Sequence, residues 1–297
     1  MKKLLFVNKT YKNDLVRSVQ LFESFIKFYQ GSVTKSFYIV VASNDIEIFI
    51  NAFKDFVIKP IFITEEQIYK ACNIDVNKCL ALNGWVSRQI CKIGFYRLGL
   101  CENYITLDSD LYFIQNFNDN LFFDKYNKLK VVVRGGFYEH STINNITKFF
   151  RRLGRRIRGK FTFDKNLAVP AMQIARHLGV KNYKLSFVHG VGLWNCGILE
   201  EMFKHIKHKD EINDAYKMIT TIPYEMQWYG TFTFAKYKKL ITILDDGFCF
   251  ILTQLKDGEW ESIFKDKIYK NKHCYSIIFD SVYYKNQIHD NFAVPHQ

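Results

Sequence analysis

The first third of the chain alternates short, predominantly apolar runs with longer stretches whose apolar residues recur every three or four positions. Residues 3–7 form the first run. Residues 13–29 follow, with Leu15, Val19, Phe22, Ile26 and Tyr29 on one helical face, and residues 36–42 form the second run. Runs apolar on both faces predict buried strands, and the 3.6-residue period between them predicts a helix, so the chain opens β-α-β. The pattern continues with a helix over 45–53, a strand over 60–63, a helix over 85–100 and a strand over 104–107. Crossovers of this kind specify an α/β fold with a mixed, mainly parallel sheet flanked by helices. With 4 prolines in 297 residues and no repeat or low-complexity linker, the whole of 1–297 reads as a single domain.

The strand at 104–107 runs straight into Asp108-Ser109-Asp110. If the strand continued, its alternation would put Asp108 and Asp110 on one face and Ser109 on the other. Paired carboxylates suit Mg2+ or Mn2+, which take the rest of their oxygen coordination from water and phosphates. The end of a buried strand is also where open α/β sheets hold ligands. An acidic pair at a strand end is equally an ordinary turn, so position rather than composition favours a site. The loop after the first strand, Asn8-Lys9-Thr10-Tyr11-Lys12, carries neither Gly-x-Gly-x-x-Gly nor a P-loop.

Net charge is +13, which favours anionic partners. Scattered lysines among Asn, Ile, Phe and Tyr also fit an AT-biased genome. One segment is denser: 148–160 interleaves Phe149, Phe150, Leu153 and Ile157 with Arg151, Arg152, Arg155, Arg156 and Arg158. Such a basic amphipathic helix suits an anionic membrane surface, with an ordinary solvated helix as the competing reading. No nucleic-acid-binding motif accompanies it, so nucleic acid is not an expected partner. The apolar run after Met1 is too short for a signal peptide, and no run reaches the roughly 18 apolar residues of a membrane span. The expected location is the cytoplasm, with peripheral contact at the inner face of the membrane. The 7 cysteines include no Cys-x-x-Cys pair and read as reduced thiols.

Beyond residue 118 the pattern is less regular: a strand over 130–134, a helix over 168–178, a strand over 185–194 and a helix beginning near Glu200. Gly190, Gly192 and Gly197 permit close backbone approach. Pro223 is placed to start a helix whose first turn holds Glu225, where the helix dipole offers a structural reason for a carboxylate. Gln89 and Lys92 share a face of the 85–100 helix, either as ligand contacts or as a solvent face.

Four segments then carry a family resemblance. Gly84-Trp85-Val86-Ser87-Arg88-Gln89-Ile90-Cys91-Lys92-Ile93, Leu107-Asp108-Ser109-Asp110, Trp194-Asn195-Cys196-Gly197-Ile198 and Tyr224-Glu225 through Tyr229-Gly230 occur in this order. Together they resemble bacterial glycosyltransferases of the GT-A fold with a DXD motif, found in capsule and lipopolysaccharide gene clusters. The resemblance implies a nucleotide-binding half over 1–118 and an acceptor-binding half over 119–297. It implies that Asp110 ligates Mn2+ or Mg2+ and that Asp108 contacts ribose or metal-bound water. Gln89 and Lys92 would meet the donor sugar or diphosphate, and Asn195 and Gly197 would line the sugar pocket. Glu225 would be the general base of an inverting enzyme or an acceptor-binding carboxylate of a retaining one.

The expected activity is metal-dependent transfer of a hexose or N-acetylhexosamine from a nucleotide sugar, with UDP the expected carrier. The expected acceptor is a surface glycan or glycolipid. Two alternatives remain: a sugar nucleotidyltransferase, which also uses paired aspartates, and a catalytically silent glycan- or membrane-binding module. Many GT-A enzymes add a C-terminal histidine to the metal; here His273, His289 and His296 are the candidates, and no motif selects one.

Overall fold

The computed structural model describes residues 4–32, 36–124, 126, 128–131, 135–136, 165–180, 185–188, 190–207, 214–237, 249–252 and 276–279. The basic segment 148–160 and the histidines His273, His289 and His296 lie outside the described residues. The elements in chain order are β1 (Leu4–Lys9), α1 (Leu15–Phe28), β2 (Phe37–Val41), α2 (Ile46–Ala52), β3 (Ile61–Thr64), α3 (Glu65–Ala71), α4 (Val76–Leu80) and α5 (Gly84–Gly94). β4 (Asn103–Leu107), β5 (Leu111–Phe113), β6 (Gly135–Gly136), α6 (Lys165–His177), β7 (Leu185–Ser186) and β8 (Val191–Asn195) follow. The chain continues with α7 (Cys196–Lys207), α8 (Ala215–Thr221), α9 (Glu225–Lys236), β9 (Cys249–Leu252) and β10 (Ser276–Phe279).

The main sheet runs β3-β2-β1-β4-β8. β1 pairs in parallel with both β2 and β4, β2 pairs in parallel with β3, and β8 returns antiparallel to β4. The sheet is therefore mixed and mainly parallel, as the strand–helix alternation requires. The chain moves outward from β1 to β3, then crosses back through α3, α4 and α5 to enter β4 on the other side of β1. That reversal makes the carboxyl ends of β1 and β4 a topological switch point, where a crevice opens for ligands. β1, β2 and β4 are buried along their whole length, and alternate side chains feed two cores. Leu4, Phe6, Phe37, Ile39, Val41, Ile105 and Leu107 face α1 and α2, while Leu5, Val7, Tyr38, Val40 and Tyr104 face α5 and the later helices. A second sheet, β5-β10-β9, begins immediately after the Asp-Ser-Asp turn. Among the described residues no helix is long and apolar enough to cross a membrane, and Cys72, Cys79, Cys91, Cys101 and Cys196 are free thiols.

Three sequence expectations are corrected. The helix expected over 85–100 stops at Gly94 and tightens into a 3-10 turn over Phe95–Leu98, which Gly99 ends in the left-handed region at φ 66°. The strand expected over 185–194 is two strands. β7 pairs with β6 and β8 with β4; Phe187 N–H donates to the Gln227 side chain at 3.1 Å, whereas Gly190 C=O still accepts the Asp108 N–H at 3.4 Å beside β8. Of the strand expected over 130–134, Lys130 and Val131 belong to no strand, and 132–134 lie outside the described residues.

Gly192 shows how closely β4 and β8 are built together. It pairs with Thr106, and the Trp194 indole N–H donates to Thr106 Oγ1 at 2.9 Å across it. A Cβ at Gly192 would lie 2.6 Å from Thr106 Oγ1 and 2.7 Å from Trp194 Nε1. Gly192→Ala must therefore displace a buried hydrogen-bonded pair, and urea denaturation is expected to register a loss of about 1–3 kcal/mol.

Candidate active site

The site is built where β1 and β4 end. β4 stops at Leu107, and Leu111 N–H donates to Asp108 C=O at 3.1 Å, closing a turn over the acidic pair. Asp108 and Asp110 therefore do not lie on a continuing strand, and the alternation expected of them is replaced by a turn. Ser109 does not point away into solvent; it is buried and accepts from Asn8 Nδ2 at 3.2 Å. Asn8 pairs with Leu107 in the β1–β4 register and also donates to Leu107 C=O at 3.0 Å. Its Oδ1 accepts from Ser18 Oγ of α1 at 2.7 Å. One buried amide thus ties the turn to β1, β4 and α1, and satisfies itself in doing so.

α5 supplies the opposite wall. Asn83 caps it by accepting from Val86 N–H at 2.9 Å, and Tyr104 of β4 donates its hydroxyl to Lys92 C=O at 2.8 Å. The strand that ends at Asp108 thereby fixes the helix that carries Lys92. Gln89 and Lys92 are both buried, so the solvent-face reading of this helix surface is set aside. Lys92 Nζ sits 2.6 Å from Asp108 Oδ1 and 3.9 Å from Glu225 Oε1. Glu225, the first residue of α9, donates its backbone N–H to Gln89 Oε1 at 3.2 Å. Gln89, Lys92, Asp108 and Glu225 therefore form one connected group drawn from α5, the β4 turn and α9. The Glu225 carboxylate turns towards Lys92.

Its electrostatics are uneven. Burial pushes the Glu225 carboxyl up from its ordinary value, and the Lys92 ammonium only partly opposes this. Asp110 is pushed up to about 7, chiefly by burial and then by repulsion from Asp108. Its Oδ1 is buried and has no hydrogen-bond partner among the described residues. A buried acceptor with nothing to accept from is costly, and a hard cation is one partner that answers it. The donor set, two adjacent carboxylates with one orphaned oxygen, fits Mg2+ or Mn2+ completed by water and phosphate oxygens. Among the described residues no cluster of three or more His, Cys, Asp or Glu accompanies them. Thr10 Oγ1, just beyond β1, is a second buried polar atom without a partner at this edge of the sheet.

Asn195 and Gly197 do not join this group. In the antiparallel β4–β8 register Asn195 lies opposite Asn103, at the start of β4, whereas Asp108 follows its end. The Asn195 side chain donates to Asn103 Oδ1 at 2.9 Å and accepts from Ile198 N–H at 3.0 Å, so it caps the start of α7. The part of this segment that reaches Asp108 is Gly190. Sequence reading also passed over Asn8, Ser109 and Thr10. A polar residue closing an otherwise apolar strand was the available signal for Asn8.

Comparison with known proteins bears on the fold. The chain resembles mouse xyloside xylosyltransferase 1 with a TM-score of 0.50 at 15% identity, over 93% of this chain and 97% of that one. The fold is the GT-A glycosyltransferase fold. The bifunctional glycosyltransferase WbbM matches with a TM-score of 0.47 at 11% identity, over 94% of this chain but 46% of its own. The galactosyltransferase LgtC, solved with donor and acceptor sugar analogues, matches with a TM-score of 0.45 at 10% identity, over 92% of this chain and 86% of that one. Residues 4–149 match a family of unknown function, DUF6492. No curated protein matches the chain.

Asp110 yields a test with two opposite signs. The folded, metal-free protein holds this proton up to about pH 7, whereas the ordinary carboxyl loses it near 3.8, so this contribution to stability falls as pH rises through that window. Asp110→Asn removes the buried charge. It is expected to stabilise the metal-free protein at pH 8 by on the order of 2–4 kcal/mol, and to abolish any rise in melting temperature that Mn2+ gives the wild type.

Proposed function

We propose that this chain is a metal-dependent glycosyltransferase that moves a hexose or N-acetylhexosamine from a nucleotide-sugar donor, UDP-linked in the first instance, to a glycan acceptor. The observation that carries the reading is the unpartnered buried oxygen of Asp110, at the switch point of a GT-A fold and beside the Lys92–Asp108–Glu225 group. Asp108 and Asp110 would hold Mg2+ or Mn2+, which, when bound, neutralises charge developing on the departing diphosphate.

The chain's own residues supply the remainder. Lys92 fixes the Asp108 carboxylate and lies between it and Glu225, so it sets the spacing of the two acidic groups and offers positive charge to a diphosphate. Gln89 holds the start of α9 and with it the Glu225 backbone. A carboxyl raised by burial is suited to accept a proton from an acceptor hydroxyl. In an inverting reaction Glu225 takes that proton as the acceptor attacks; in a retaining one it orients the acceptor. Burial of Gln89, Lys92 and Glu225 limits competition from water at this group.

The nucleotidyltransferase alternative asks the loop after β1 to cradle phosphates. Lys9, at the end of β1, is buried, paired with Glu65 at 2.7 Å and bonded to Thr10 C=O at 2.7 Å, which favours the transferase reading.

The test begins with melting temperature in UDP-, GDP-, CMP- and dTDP-sugars, with and without Mn2+. A metal-dependent rise with one nucleotide class is expected, about 2.7 kcal/mol when ligand reaches roughly 100 times its Kd. Glu225→Gln should keep that rise yet lower turnover of the same donor by about 10²–10⁴. A protein that responds to no donor with either cation removes the proposal.

A further inference from the structure

The mouth of the crevice carries a group that the reaction centre does not use. Trp85, in the first turn of α5, is 44% exposed and meets the Tyr224 ring edge to face, with centroids 5.7 Å apart. Tyr224 immediately precedes Glu225. Gly84, beside Trp85, has open space where a Cβ would stand, so nothing in the described chain crowds this corner. Arg88 lies one turn further along α5 and is half-buried. It is close enough to Glu225 to lower the pKa of that carboxyl and close enough to Tyr11 to do the same there.

The other cations around the crevice are committed. Lys9 pairs with Glu65, Arg17 with Asp14, and Lys92 with Asp108 and Glu225. Arg88 makes no hydrogen bond or ion pair among the described residues. A guanidinium with no hydrogen-bonded or ion-paired anion among the described residues, three positions from Trp85 on the same face of α5, offers a binding surface of definite chemistry. The apolar face of a pyranose can lie against an aromatic ring, and the planar guanidinium fork matches a carboxylate or phosphate. Glu225 directly follows Tyr224 at the start of α9.

We propose that Trp85, Tyr224 and Arg88 form a subsite for an anionic saccharide, a sugar bearing a carboxylate or a phosphate, at the acceptor side of Glu225. Naming that sugar the acceptor rests on the glycosyltransferase reading; its binding does not. The net charge of +13 favours approach of such a ligand, and Arg88 gives it a fixed point of attachment.

Isothermal titration of the full chain with hyaluronan tetrasaccharide, mannose 6-phosphate and neutral chitotetraose tests this. One of the two anionic sugars is expected to bind at least about tenfold more tightly than chitotetraose, and which one does so identifies the anion. Trp85→Ala should weaken the favoured sugar by about tenfold at unchanged melting temperature, and Arg88→Gln should erase the preference over chitotetraose. Equal affinity for charged and neutral sugars, or a preference that survives Arg88→Gln, overturns the proposal. So does an Arg88→Gln protein that keeps its sugar preference but loses binding of UDP with Mn2+, since Arg88 would then serve the donor. If the anionic sugar binds with these sensitivities while no nucleotide sugar is bound or turned over, the subsite stands and the transferase reading falls. Transfer to anionic acceptors that is no better than to neutral ones and is indifferent to Arg88→Gln leaves the reading standing and removes the subsite.

Discussion

The Asn8 side chain joins the parts of this protein that matter most to its chemistry. It is fully buried between β1, β4 and α1, where a polar amide is tolerated only when its donors and acceptor are met. Leu107, Ser109 and Ser18 meet them. The consequence is geometric: the turn that carries Asp108 and Asp110 cannot slide relative to β1, and α1 is held against the same point. A hydrophobic residue at position 8 would have filled the space equally well. It would have left the end of β4 without a fixed turn.

Around that anchor the charges are divided unequally. Lys92 is shared by Asp108 and Glu225, while Lys9 and Glu65 make a separate buried pair beside β1. Asp110 receives no cation at hydrogen-bond distance among the described residues and is left with its carboxyl held up by burial and by Asp108. A fold that leaves one buried carboxylate oxygen unmet next to a satisfied ion pair has a place where an added cation lowers the energy of both carboxylates.

Most of the fold was legible because burial on both faces leaves a plain record. The predominantly apolar runs at 4–7, 37–41 and 104–107 became strands, and the Leu15-Val19-Phe22-Ile26 period became α1. Short elements were not legible: α3 and α4 are too brief for periodicity, and the capping box of Thr64 with Gln67 carries α3 instead. In the site, Gln89, Lys92, Asp108 and Glu225 came from motif and resemblance, and the structure draws them into one group. Asn195 and Gly197 look similar in sequence to a pocket segment, yet the antiparallel register of β8 carries them to the far end of β4.

What the sequence determined by itself was the layered α/β architecture and the acidic pair at a strand end, because hydrophobic period and residue type are local properties. The tertiary structure decided which polar groups meet: that Lys92 answers Asp108, that Gln89 answers Glu225 and that Asn195 caps a helix. Those outcomes depend on strand order, register and the direction of each crossover. Such quantities arise only when distant segments pack, and no window of residues along the chain contains them.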